Sequence, residues 1–192
     1  MGMATSEPIY HTAEMVRALI DDGRAWPRYE TIWGELYVTP APRPWHQLAQ
    51  ERLRDALSTY LKRVPLGVLF AAPADISWGR DDVLVQPDLF VLPIEQARAA
   101  TSANAWTSSQ HLLLAVEILS PGSVRADRFT KRTLYQKMGV PLYWIVDVDA
   151  HAVEVWTPDA HFPTVEREML TWHPAPDAAP FAYALADLFQ PL

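Results

Sequence analysis

The sequence contains no cysteine. Disulfides and thiolate metal sites are therefore excluded. That fits a reducing cytoplasm, the expected location, although cysteine is dispensable in other compartments too. No apolar run approaches the ~20 residues of a membrane span, and Met1 to Tyr10 lacks the basic start and apolar stretch of a signal peptide. Positive charge is scarce: 16 Lys and Arg stand against 23 Asp and Glu, a net charge of −7. This argues against a broad phosphate-binding surface, while leaving room for a local basic rim around a bound cation. Internal repeats and long linkers are also missing. What the chain does have is a hydrophobic fraction of 49% over 192 residues, enough to fill one core, so residues 1–192 are expected to form a single domain.

Two carboxylates stand out by their surroundings. The run His111-Leu112-Leu113-Leu114-Ala115-Val116 leads into Glu117-Ile118-Leu119-Ser120-Pro121-Gly122, which reads as a central strand ending at a turn. Asp88 follows Asp82-Val83-Leu84-Val85-Gln86-Pro87 and precedes Leu89-Phe90-Val91. An unpaired carboxylate buried among Leu and Val costs several kcal/mol, on the order of a domain's stability. A hard divalent cation such as Mg²⁺ or Mn²⁺ is one compensating partner.

The remaining pattern is mixed. Helices are expected over Thr12–Asp22, Trp45–Arg63, Pro93–Ala100, Asp127–Met138 (closed by Gly139) and, weakly, Ala182–Phe189. Strands are expected at Arg28–Thr39 with a turn near Gly34, at Pro65–Phe70 and Ala74–Trp78, at Val83–Val91, His111–Leu119, Leu142–Val148, Val153–Thr157 and Val165–Leu170. Pro40–Pro44 and the Ser/Thr/Asn-rich Thr101–Gln110 read as loops. The result is an α/β fold with helices covering a sheet around an apolar central strand.

Neighbouring strands would bring Asp88 and Glu117 together. Two carboxylates a few ångströms apart repel unless a cation sits between them. Asp127, Lys131 and Tyr135 follow at i, i+4 and i+8 on one helix face. Lys131 can then point at the metal edge, with Asp127 holding it. The bland readings are a solvated strand-end Glu117, a turn-capping Asp88, a solvated Lys131, a first-turn Asp127 and packing roles for Tyr135 and Tyr143. His46 at a helix start reads as a polar cap neighbour; the other five histidines show no ligand spacing.

The order Gln86-Pro87-Asp88, Glu117-Ile118-Leu119-Ser120-Pro121, Asp127, Lys131, Tyr135, Gly139-Val140-Pro141 and Tyr143-Trp144-Ile145-Val146-Asp147 resembles the Uma-two family of putative restriction endonucleases, within the PD-(D/E)XK nuclease superfamily. Tyr29-Glu30, Gly34-Glu35-Leu36, Pro40 to Pro42 and His46-Gln47 add to it. The resemblance spans roughly residues 10 to 160, leaving 161–192 as a C-terminal extension. It implies a restriction-endonuclease-like mixed central sheet flanked by helices. Asp88 matches the Asp of the PD element and Glu117 the acid of the (D/E)XK element, both as metal ligands. The usual lysine position is Leu119 here, and Lys131 matches a lysine migrated to the next helix. Glu35 matches a further acid facing the metal or its water. Leu142 departs from the family's usual Glu before Tyr-Trp.

The function expected on these grounds is a Mg²⁺-dependent endonuclease hydrolysing DNA phosphodiester bonds. Its catalytic set is Asp88, Glu117, Lys131 and Glu35, and its metal ligands are Asp88, Glu117 and the Ile118 carbonyl. A homodimer is expected, because cutting both strands needs two centres. The alternative is a catalytically silent nuclease-like binding or scaffold module. Deleting either metal-binding carboxylate is expected to relieve repulsion and leave the apo fold at least as stable.

Overall fold

A computed structural model describes residues 9–20, 26–106 and 111–192. The mixed pattern resolves into a six-stranded mixed sheet flanked by helices, as the sequence implies. The chain opens with α1 (Ala13–Ile20), where the Met15 N–H bonds to the Thr12 hydroxyl at 3.2 Å as an N-cap. The proposed helix end at Gly23 lies outside the described residues. β1 (Arg28–Ile32) and β2 (Glu35–Thr39) form a hairpin around Trp33-Gly34, both with positive φ. The ring of Tyr10 packs where a Gly34 side chain would stand.

Then follow α2 (Pro44–Arg63), with Pro44 at its first turn, β3 (Gly67–Ala71), β4 (Val83–Leu84), β5 (Leu89–Pro93), α3 (Ile94–Ala103) and β6 (Leu114–Ile118). A π-helical turn, Ala126–Lys131, runs into α4 (Arg132–Lys137). The chain finishes with β7 (Tyr143–Asp147), β8 (Ala152–Trp156), β9 (Thr164–Glu166), β10 (Met169–Trp172), β11 (Phe181–Ala184) and α5 (Leu185–Phe189). The large sheet has the order β3-β5-β6-β7-β8-β9; β2-β1-β4 and β10-β11 are separate small sheets.

Four expectations are corrected. Val165–Leu170 is two strands in different sheets, β9 ending at Glu166 and β10 starting at Met169. Val83–Val91 is two strands in different sheets: β4 pairs with β1, β5 with β3 and β6. Pro87 lacks an N–H and breaks the ladder between them. Ala74–Trp78 contributes only a bridge from Ile76 to Val85. Residues 181–184 pair with β10 before the last helix begins at Leu185.

The sheet separates two cores by simple alternation. Leu89, Val91, Leu114, Val116, Trp144 and Val146 face α2 and α5. Phe90, Leu92, Ala115, Tyr143 and Ile145 face α4 and the small β2-β1-β4 sheet. Glu117 shares the parity of Ala115, so its carboxylate points toward α4. β6 and β7 are parallel, the strand pair whose crossover carries the π turn and α4. The site forms at the carboxyl ends of these two strands.

Candidate active site

β5 and β6 pair with Leu89 opposite Val116, so one further step sets Asp88 across from Glu117. Asp88 lies in the break before β5, anchored from three directions. Its Oδ1 accepts from Arg28 Nη1 at 2.9 Å. Its Oδ2 accepts the Ile118 N–H at 2.9 Å and lies 3.1 Å from His46 Nε2. Burial alone would raise this carboxyl's pKa. The His46 hydrogen bond and charge, the Arg28 guanidinium and the Ile118 N–H prevail and hold it well below the usual carboxylate range. Arg28 is itself sandwiched, 4.4 Å from the centre of the Trp26 ring.

Glu117 is set differently. Its Oε1 accepts from Lys131 Nζ at 3.0 Å and from the Tyr135 hydroxyl at 2.9 Å. Its Oε2 has no hydrogen bond among the described residues. Burial pushes the Glu117 carboxyl well above its ordinary range; Lys131 opposes this, while Asp127, Asp88 and Glu30 add to it.

Lys131 is the hub. Nζ lies 2.8 Å from Glu30 Oε2, 3.0 Å from Glu117 Oε1 and 3.6 Å from Asp127 Oδ1. Burial favours its neutral form, yet Glu117, Glu30 and Asp127 raise its pKa well above the usual value. It is a fixed cation rather than a proton acceptor. Asp127 Oδ1 is buried without a hydrogen-bond partner among the described residues. Burial raises the Asp127 carboxyl to about 6, against the opposing pull of Lys131 and Ser123. The π turn lets Asp127 and Lys131 both face inward while Phe129 stays exposed. Such widened turns are frequent at functional sites.

Of the residues expected in the site, Asp88, Glu117, Ile118 and Lys131 line one cavity, and Glu35 does not. Glu35 is exposed beside the Tyr37 hydroxyl. The hairpin register places it opposite Ile32 at the turn. The acid that enters instead is Glu30, whose Oε1 accepts the Gln86 N–H at 2.7 Å. Arg28 and Glu30 alternate on one face of β1, which is the signal that marks them. His46, a cap neighbour by sequence, is a buried partner of Asp88. The enclosed space is about 20 Å³, room for one water or one ion.

This geometry reverses one expectation. Asp88→Ala leaves the Arg28 guanidinium, His46 and the Ile118 N–H without their common partner. It is expected to lower stability by roughly 3–5 kcal/mol rather than raise it. Thermal melts of the apo protein check this; an unchanged Tm would show that these groups find water instead.

Residues 13–185 match the family model described as Uma2, "Putative restriction endonuclease". The chain belongs to the Uma2 family. That membership supports a nuclease-like function for the chain. The Uma2 match also runs through β9 to β11, a segment the motifs alone left outside the resemblance; β10, β11 and α5 complete the core against α2. A crystal structure described as a putative nuclease belonging to DUF820, from Anabaena variabilis, has the same fold. It shares 23% identity over 95% of this chain and 98% of that one, with a TM-score of 0.71. No curated protein matches the chain.

Proposed function

We propose that this Uma2 protein is a divalent-metal-dependent endonuclease hydrolysing DNA phosphodiester bonds. The observation that carries the reading is a charge imbalance. Four carboxylates, Glu30, Asp88, Glu117 and Asp127, meet in one buried cavity with two permanent cations, Arg28 and Lys131. With all four ionised and His46 neutral, the excess of two negative charges equals one divalent ion, which would favour the ionised Glu117 that burial alone disfavours.

The donor set fits such an ion. Among the described residues no three His, Asp or Glu side chains gather as a metal cluster. Mg²⁺ is commonly held by one or two carboxylates with waters completing its shell. Asp88, Glu117 through its free Oε2, and the Ile118 carbonyl would hold it. A bound Mg²⁺ or Mn²⁺ would polarise a phosphate oxygen and lower the pKa of a water. The chain's own groups do the rest. Tyr135 and Lys131 fix Glu117 by one oxygen. Arg28 and His46 fix Asp88. Lys131 keeps a positive charge in a dry site where negative charge grows during phosphodiester hydrolysis.

Calorimetric titration with Mn²⁺ tests the reading: one site is expected for the wild type and none for Glu117→Gln. Stability gives an independent readout. Asp127 and Glu117 have raised carboxyl pKa values in the fold. The folded chain therefore holds more protons than the unfolded one between pH about 4 and at least 6, and stability falls as pH rises through that window. Asp88 is depressed, so its contribution is lost only as pH falls below about 4. The apo Tm is expected to drop from pH 5 to pH 7.5, with Mn²⁺ restoring it at the higher pH and doing nothing at pH 4.5. A flat profile insensitive to Mn²⁺ contradicts the charge argument.

DNA as substrate and a homodimer belong to the same proposal. A two-fold dimer presents two such cavities to the two strands. Sedimentation is expected to give a dimer at micromolar concentration; a monomer there removes the dimer from the proposal.

A further inference from the structure

The cavity just described has a larger neighbour. A pocket of about 490 Å³ adjoins it, sharing His46 and Ser120 as a common wall. It lies between the start of α2, the turn after β6 and the β7–β8 turn. It too opens at the carboxyl ends of the parallel strands β6 and β7, where open α/β sheets place their ligands. Leu119, Pro121, Val124 and Val148 give it an apolar lining. Trp45 forms a wall and keeps 46% of its surface exposed, leaving a broad ring face able to stack.

The charges select the occupant. Asp147 at the rim is already neutralised: Arg128 Nη2 reaches its Oδ2 at 2.8 Å and the Ala150 N–H its Oδ1 at 2.9 Å. Asp149 forms no ion pair among the described residues and repels a phosphate placed inside the pocket. Arg43, in the lining where α2 begins, is exposed and suits a phosphate on the solvent side. A flat indole among aliphatic side chains, a carboxylate able to accept from an amino group, and an exposed cation in the same lining match a nucleobase on its sugar-phosphate backbone.

We propose that this pocket receives the nucleobase next to the scissile phosphate, stacked on Trp45, with Arg43 on the adjoining phosphate. The proposal rests on the nuclease reading of the neighbouring cavity, and goes beyond it by assigning a substrate subsite. A base buried there must leave its duplex stack, so a duplex is opened locally at the cut and single-stranded DNA binds without that cost.

The test uses the intact protein in Ca²⁺, with single-stranded oligonucleotides carrying 2-aminopurine at successive positions. Binding is followed by anisotropy of an end label, and stacking by 2-aminopurine fluorescence. The wild type is expected to quench the probe at one position. Trp45→Ala should abolish the quench and weaken binding about tenfold, and Trp45→Phe should restore most of both. Because Trp45 is exposed, circular dichroism of both variants should match the wild type. DNA bound or cut by the wild type without a Trp45-dependent quench overturns the subsite and leaves the nuclease reading standing. DNA neither bound in Ca²⁺ nor cut in Mg²⁺ by the wild type overturns both.

Discussion

Lys131→Met is expected to be the most damaging single substitution in this protein. Among the described residues the lysine is the only cation that touches Glu30, Glu117 and Asp127. Methionine keeps its volume and removes its charge, leaving three buried carboxylates without compensation. Breaking one buried ion pair typically costs roughly 3–5 kcal/mol, which for a chain of this size lowers Tm by about 10 °C or more. The carboxylates can escape by taking up protons, so the deficit is expected to be large at pH 8 and to shrink toward pH 5. Cleavage should fall on the order of 10²-fold or more even in the surviving folded fraction, because a preorganised charge beside the reacting phosphate is gone. Urea melts at the two pH values and turnover normalised to folded protein check both parts. A variant as stable as wild type at pH 8 would mean that the cluster relaxes or admits water.

Glu117→Gln separates chemistry from stability in the opposite direction. The amide is nearly isosteric and neutral, and it still accepts the Tyr135 and Lys131 hydrogen bonds through its oxygen. It removes one negative charge from a cluster that carries too many. The apo variant is expected to be at least as stable as the wild type at pH 8, while Mn²⁺ binding disappears and cleavage drops to background. Loss of both activity and stability would identify Glu117 as a structural acid only. Set beside Asp88→Ala, this variant divides the single expectation made for both carboxylates. Relief of repulsion holds for Glu117, whose neighbours are mostly acids, and fails for Asp88, whose neighbours are Arg28, His46 and a backbone N–H.

Much of this site is legible along the chain, and the exceptions have physical causes. Glu117 announces itself as a lone acid in a buried strand, and helical spacing already joins Asp127 to Lys131. The Asp88 setting was harder to read: apolar residues continue through Pro87, so the run suggests one strand where the missing N–H makes two. Glu30 is invisible as a partner of Lys131 because the contact depends on the small β2-β1-β4 sheet folding over the large one. Its alternation with Arg28 was there to be seen, but alternation says only that two side chains share a face. Glu35 falls outside the site for the same reason: the hairpin register sets Tyr37 and not Glu35 beside Glu30. At the end of the chain, Phe181 to Ala184 carries alanines that favour helix locally; pairing with β10 overrides that preference.

If the buried acid cluster hydrolyses phosphodiesters with a divalent ion, DNA cleavage must depend on that ion and on Glu117. Plasmid DNA incubated with the purified protein in Mg²⁺ or Mn²⁺, beside Glu117→Gln and an EDTA control, tests it most directly. The wild type is expected to convert supercoiled DNA to nicked or linear form only with the ion present, and Glu117→Gln to leave it supercoiled. Intact supercoiled DNA with wild type that binds Mn²⁺, or cutting that persists in Glu117→Gln, would contradict it.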